Sequence, residues 1–97
     1  MMTEDIPARV AKGVALLDEH APGWATRIDL QRLDFWSLTD CVLGQLYGQA
    51  SRPRYINGMA MSDYGFNTTR AGMNPAETLT ALTEAWRDVV AERQAHA

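Results

Sequence analysis

The sequence is short of the residues that usually build a large core or a metal site. Leu, Ile, Val and Phe together supply only 19 of its 97 residues, which is enough for one domain and for no second core. Its single cysteine cannot form an internal disulfide, and its two histidines make no metal-binding motif. No apolar run approaches the roughly 18 residues of a membrane span, and no signal-peptide pattern opens the chain. We therefore expect one cytoplasmic domain, residues 1–97, with no cofactor, no metal and no membrane partner.

The net charge is small and acidic. A formal charge of −3 and a pI near 5.2 argue against a nucleic-acid partner. The same charge is too small to hold the chain unfolded. Three Trp, three Tyr and five Met compensate for the few aliphatic side chains. The composition predicts a folded chain whose small core depends on aromatic and methionine side chains.

An amphipathic helix is predicted near the start of the sequence. Asp5 is a good N-cap, and Pro7 fits the first turn, where a missing N–H costs nothing. Gly13 lies inside the apolar stripe at a cost of about 1 kcal/mol relative to Ala, so we expect another backbone to approach it closely. Pro22-Gly23 ends the helix. The apolar stripe consists of Ile6, Val10, Val14, Leu17 and Ala21.

A second long amphipathic helix is predicted at the end of the sequence. Asn74 is placed to cap it, Pro75 takes its first position, and Glu77 stands where a capping box has an acid. Neither long helix can leave its apolar stripe in water, so we expect both to pack across the centre of the chain. The second stripe consists of Leu79, Leu82, Trp86, Val89 and Val90.

A short helix is predicted between the two long ones. Ser37 or Thr39 can cap it, Asp40 would lie in its first turn, and Gly48 would end it in a left-handed conformation. Its apolar residues cover both sides, which is typical of a helix buried between other elements. One side carries Leu38, Cys41, Val42 and Leu46, and the other carries Leu43 and Tyr47.

In two further segments the apolar residues show neither a clear helical nor a clear strand periodicity. Trp24–Trp36 contains a short alternating run, but no second such run exists to pair with it. Extended chain or one helical turn is therefore favoured over a strand, with Ile28, Leu30 and Leu33 in the core. Residues 49–74 are the least regular. Within them, a further short helix is predicted for Tyr55, Ile56, Met59 and Met61, and Phe66 is expected to reach the core.

These elements predict an all-α fold. It is a small bundle of two long amphipathic helices around a short buried helix, with an irregular middle segment. The core is expected to include Val14, Leu17, Cys41, Val42, Leu46, Leu82 and Trp86.

A set of landmarks carries a resemblance to a known group of proteins. The most specific is the run Cys41–Gly48, and the others are Gly13 with Leu16–Glu19, Pro22–Trp24, Ile28–Leu30 with Leu33, Tyr64–Phe66, and Leu82–Trp86 with Arg93. Over roughly residues 10–93 the chain resembles small proteins encoded by actinobacteriophages and by phage-derived genes of actinobacteria. Eight Arg against one Lys, with 14 Ala, agree with a GC-rich coding sequence. The resemblance implies a phage origin and residence in the host cytoplasm. It assigns no site residue, because the group has no assigned activity.

Cys41 is the one candidate nucleophile. Near a helix start its thiol pKa could fall, as it does in reactive cysteines, and His20 or His96 would have to serve as the base. A small hydrolase around Cys41 is therefore one alternative. The simpler interpretation is a small apolar residue that faces the first helix.

Two further patterns have structural interpretations. The carboxylates Asp29, Asp34, Asp40 and Asp63 could support acid–base chemistry or bind a hard cation, but their spacing matches no known metal loop. The Gly-x-x-x-Gly spacing of Gly44 and Gly48 is no phosphate loop, because no strand precedes it and no Lys follows it. We expect close helix packing at Gly44.

A basic group offers a second alternative, a nucleic-acid-associated regulator. Arg52, Arg54 and Arg70 would contact phosphate, and the neighbouring Tyr55 could stack on a base. Two or three charges supply only a small counterion-release contribution in an acidic chain. A solvated loop is the simpler interpretation.

The segment from Tyr55 to Phe66 is the candidate interface. Flexible methionines and aromatic rings suit an adaptable contact surface, although they equally suit the filling of gaps in a core. A segment this irregular cannot bury all of them, and an exposed apolar patch usually marks an interface. We therefore expect a non-enzymatic interaction module that binds itself as a homodimer or binds a host protein. The candidate interface consists of Tyr55, Met59, Met61, Tyr64 and Phe66.

Overall fold

A computed structural model describes residues 5–37, 39–48, 54–56, 64–66 and 75–96. Over these ranges the chain is helical and has no strand, so the predicted all-α fold is confirmed. The elements are α1 (Asp5–His20), a 3₁₀ helix (Trp24–Arg27), α2 (Val42–Tyr47) and α3 (Pro75–Ala95). No helix within the described ranges is long and apolar enough to cross a membrane.

The long helices α1 and α3 pack against each other and run in the same direction. Gly13 in the middle of α1 lies against Trp86 of α3. Asp18 near the end of α1 binds Arg93 near the end of α3. A parallel pair cannot be joined by a short turn, and in the intervening chain residues 25–35 run back along α3, from Gln94 at Ala25 to Thr83 at Phe35. That chain supplies the 3₁₀ helix and the short α2, around which the long helices pack.

Trp86 is the centre of the core. Its side chain is fully buried, and its indole lies edge-on to Trp24 at 5.7 Å between ring centroids. Phe66 and Phe35 stack on it at 5.3 and 6.3 Å. Its Nε1 donates a hydrogen bond of 2.7 Å to the carbonyl of Gly65, so the one polar atom of the ring is satisfied. Among the predicted core residues, the buried ones are Leu17, Val42, Leu46, Leu82 and Trp86, and the partly buried ones are Val14 and Cys41.

The turn at residues 64–66 lies directly on α1, and Gly13 permits this contact. A Cβ atom at Gly13 would overlap the carbonyl oxygen of Tyr64 and come within 2.8 Å of Cζ2 of Trp86. Gly65 has a φ of 76°, and a Cβ atom there would lie 3.1 Å from the backbone of Val10. The prediction that another backbone approaches Gly13 is therefore confirmed.

The segment Trp24–Trp36 starts with the 3₁₀ helix and contains no strand. Gly23 precedes that helix with a φ of 81°, a conformation that favours glycine. Leu30 is only partly buried. The buried residues of the segment are the predicted Ile28 and Leu33 together with Trp24, Ala25 and Phe35.

The predicted cap of α2 is wrong. The helix starts at Val42, and its N-cap is Cys41, whose Sγ accepts a hydrogen bond of 3.3 Å from the N–H of Gly44. The hydroxyls of Ser37 and Thr39 lie earlier in the chain and hydrogen-bond each other at 3.1 Å.

The prediction that Asp40 lies in the first turn of α2 is also wrong. Asp40 lies outside the first turn because α2 starts at Val42, and its carboxylate binds the guanidinium of Arg32 at 2.7 Å. Gly48 does end α2 with a positive φ of 93°, but its ψ of 174° is extended. The predictions for Leu38, Met59, Met61 and Asn74 lie outside the described residues.

Asp18 joins α1, α3 and the 3₁₀ helix. Its two carboxylate oxygens accept hydrogen bonds of 2.9 and 2.8 Å from Arg93, and Oδ1 also accepts one of 3.0 Å from Nε1 of Trp24. The bond from Arg93, helped by that from Trp24, lowers the pKa of Asp18 below 3.8, although partial burial opposes the shift.

We expect the Asp18 contacts to make the free energy of unfolding depend on pH in acid. A carboxylate whose folded pKa is depressed stabilises the fold above its unfolded pKa, and this stabilisation is lost as the pH falls through the folded pKa. Each side chain of the pair is 43% exposed, so solvent screens it, and Asp18→Asn should cost only about 0.5–1 kcal/mol at neutral pH. Urea denaturation at about pH 7 and about pH 2.5 should show a smaller cost in acid. Asp88→Asn, an exposed carboxylate of α3, is the control, and an equal cost of Asp18→Asn at both pH values would contradict the assignment.

Candidate functional site

Cys41 has the surroundings of a structural residue. Its Sγ accepts the hydrogen bond that caps α2, and its side chain is partly buried. Burial raises the pKa of the Cys41 thiol, which disfavours the thiolate that a nucleophile needs. One predicted base, His20, stacks on the ring of Tyr55 at 4.2 Å between centroids.

The carboxylates in the middle of the chain stabilise turns. Asp29 accepts a hydrogen bond of 3.0 Å from the N–H of Gln31, and Asp34 accepts one of 2.9 Å from the N–H of Trp36. Asp40 binds Arg32, and Asp63 lies outside the described residues. No cluster of three or more His, Cys, Asp or Glu side chains in the described ranges could hold a metal ion.

The structure describes three members of the candidate interface, of which Phe66 is buried and Tyr55 and Tyr64 are partly buried. Phe66 is buried and stacks on Trp86, so this ring belongs to the core and its assignment to an exposed patch is wrong. Tyr55 is partly buried, because His20 covers its face and its hydroxyl lies 2.6 Å from that of Tyr47. Tyr64 is also partly buried, with Nζ of Lys12 at 5.4 Å from its ring centroid.

Of the three arginines predicted to contact nucleic acid, one is among the described residues. Arg54 is exposed, whereas Arg52 and Arg70 lie outside the described residues. The described structure therefore brings no basic cluster together at this place.

Trp36 is the exposed aromatic residue that the sequence reasoning missed. Its side chain is 60% exposed, whereas Trp24 and Trp86 are 1% and 0% exposed. Asp34 holds it there by two contacts, because its carboxylate accepts the N–H of Trp36 and its carbonyl accepts the N–H of Ser37 at 3.2 Å. This local turn projects the indole away from the core.

An open groove of about 600 Å³ lies beside Trp36, between the loop formed by residues 31–37 with 39–40 and one face of α3. The loop side carries Gln31, Arg32, Leu33, Asp34, Trp36 and Asp40, and the α3 side carries Thr80, Thr83, Glu84 and Arg87. The α3 positions recur at helical spacing and form one stripe beside the buried one.

The loop is fixed to α3 by its backbone. Phe35 donates its N–H to Oγ1 of Thr83 at 2.9 Å, and Nη2 of Arg87 donates to the carbonyl of Leu33 at 2.9 Å. The side chains of Leu33 and Phe35 are buried beneath the loop. Trp36 therefore stands on a preorganised segment.

The groove combines charged side chains with one exposed aromatic ring. Arg32 and Asp40 neutralise each other at 2.7 Å, which leaves Asp34, Glu84 and Arg87 as charged groups around an exposed indole. Aromatic residues and arginine are enriched at protein–protein interfaces, and a polar rim surrounds their core.

Comparisons with known proteins assign no function to this groove. No protein-family model, no curated protein and no solved structure matches the chain. The resemblance to actinobacteriophage proteins therefore stays a prediction that rests on the residues given above.

Proposed function

We propose that the chain is a non-enzymatic protein–protein interaction module of phage origin, acting in the host cytoplasm, and that its contact surface is the Trp36 groove. The observation that carries this proposal is the 60% exposure of Trp36 at the edge of the groove, in a chain that buries its other two tryptophans. Tryptophan is among the residues most enriched at the energetic centres of protein interfaces.

Burial of the Trp36 side chain by a partner would contribute substantially to the free energy of binding. Burying the exposed part of one indole removes on the order of 100–150 Å² of surface from water, worth about 3 kcal/mol. The hydrogen bonds from Phe35 to Thr83 and from Arg87 to Leu33 already fix the loop. Binding therefore costs little conformational entropy at this place.

Neither alternative function gains a supporting contact within the described part of the chain. A nucleic-acid regulator would use Arg52, Arg54 and Arg70, of which only Arg54 is described, and the Trp36 groove itself is not basic, because it carries three carboxylates against two guanidinium groups. A hydrolase at Cys41 would need an activated thiol, and burial shifts the pKa of that thiol in the opposite direction.

Site-specific photo-crosslinking tests the proposal. We expect benzoylphenylalanine at position 36 to give a covalent protein adduct when it is irradiated in actinobacterial cells, because the groove would hold its partner within reach. The same group at Ala11, an exposed position of α1, is the matched control. Mass spectrometry then identifies each adduct as a second copy or as another protein. Equal labelling from positions 36 and 11, or none from either, would refute the proposed function.

A further inference from the structure

We infer that the groove's partner is a second copy of this chain, bound about a two-fold axis with the two α3 helices antiparallel. This inference rests on the proposed function and names the partner of the same surface. A two-fold interface uses one patch on both copies, so the patch must be complementary to itself. The groove meets that condition in its charges and in its aromatic group.

The charges of α3 are self-complementary. Glu84 and Arg87 lie one turn apart on the face that lines the groove, and both are exposed. An antiparallel copy reverses their order. Glu84 of each copy then faces Arg87 of the other, which gives two equivalent ion pairs around the axis. A partner whose surface carries mainly one sign of charge would instead be matched by a groove whose charges are mainly of the opposite sign.

The aromatic group is self-complementary in the same way. Nη2 of Arg87 donates a hydrogen bond to the carbonyl of Leu33. Such a bond lies in the plane of the guanidinium group, so the flat face of the group is left for a cation–π contact with an indole. Trp36 stands at the other side of the same groove. Each copy thus offers both the ring and the cation that the other copy needs.

The shape of α3 permits the approach. Thr80 and Thr83 are the remaining α3 residues of the groove, and their short side chains let a second helix come close. The apolar stripe of α3, with Leu82, Trp86 and Val90 fully buried, faces the core of its own chain. Dimerisation through the groove therefore leaves the core untouched.

Sedimentation equilibrium of charge-swapped chains tests this inference. We expect the parent chain to rise from 10.8 kDa towards twice that mass over a hundredfold range of concentration. Glu84→Lys alone and Arg87→Glu alone should each weaken self-association at least tenfold, because each places like charges in both pairs. An equimolar mixture of the two variants should form a dimer at least tenfold tighter than either variant alone, since both pairs are again opposite in charge, although one of the two contacts between Trp36 and Arg87 is lost.

Two further variants keep the test decisive. Trp36→Ala should also weaken self-association at least tenfold, whereas Lys12→Ala on α1 should leave it unchanged. Because Arg87 also holds the loop, circular dichroism checks the fold of Arg87→Glu. If that variant does not fold, Glu84→Lys and Trp36→Ala decide the question, and dimers within threefold of the parent in both would refute the inference.

The outcomes separate this inference from the proposed function. A parent mass that stays at 10.8 kDa throughout the range, or a mixture that fails to recover the dimer, would overturn the second-copy assignment. An adduct from position 36 to a different protein would overturn it as well, yet it would support the interaction module itself.

Discussion

Replacing Trp86 with alanine is expected to leave a barely folded chain. Truncation of a buried tryptophan typically costs about 3–5 kcal/mol, and a chain of this length has about 5–15 kcal/mol of stability in total. With only 19 Leu, Ile, Val and Phe residues, we place this chain in the lower half of that range. The variant would lose the packing of Trp24, Phe35 and Phe66 together with the hydrogen bond to Gly65. Urea denaturation followed by circular dichroism should show the midpoint reduced by half or more.

Two matched variants isolate the cause. Trp36→Ala removes the same side chain from an exposed position. At protein concentrations low enough to keep the chain monomeric, it should change the free energy of unfolding by less than about 0.5 kcal/mol. Trp86→Phe keeps an aromatic ring but leaves the carbonyl of Gly65 without its donor, so its cost should lie between the other two. A midpoint for Trp86→Ala close to that of the parent would show that Trp86 is not the centre of the core.

Replacing Gly13 with alanine is expected to destabilise the chain, against the helix propensity of the two residues. In a solvated helix this change gains about 1 kcal/mol. Here the added Cβ would overlap the carbonyl oxygen of Tyr64 and press on Trp86. Overpacking typically costs about 1–3 kcal/mol, and we expect the upper end because the neighbouring atom is backbone. After subtraction of the gain in helix propensity, the net loss should be about 2 kcal/mol. Chemical denaturation measures the change.

The control for Gly13 is Ala11→Gly at an exposed position of the same helix. It should cost about 1 kcal/mol through propensity alone. Gly13→Ala and Ala11→Gly should then both destabilise the chain, although one replaces glycine with alanine and the other replaces alanine with glycine. If Gly13→Ala proved stabilising, the close approach of the turn at residues 64–66 would be wrong.

The long helices were predictable because their signals are local. Apolar residues at helical spacing, with Pro75 at the first position, define α3 without any knowledge of the tertiary fold. Gly13 was predictable for a related reason, since a costly residue inside an apolar stripe needs a packing explanation. The start of α2 was not predictable. Its cap is a cysteine sulfur, and the expected first-turn acid, Asp40, pairs with Arg32 across the loop.

The candidate site could not be predicted in the same way, because it depends on which tryptophan the fold leaves outside. The amino-acid composition does not indicate which of Trp24, Trp36 and Trp86 is exposed. A weak local signal exists, since the Asp34-Phe35-Trp36 run fits an Asx turn that separates a buried ring from an exposed one. The other wall of the groove belongs to α3, more than forty residues further along the chain, and only the tertiary fold brings it there.

The parallel packing of α1 and α3 also sets the order of events during synthesis of the chain. The apolar stripe of α1 leaves the ribosome well before the helix that covers it, because α3 comes later in the chain. At typical elongation rates the stretch from His20 to Ala95 takes roughly 4–15 s to make. Until then Val10 and Leu17 have no α3 to pack against, so the nascent chain presents an uncovered apolar helix that chaperones can bind. This domain can therefore complete its folding only after α3 has left the ribosome.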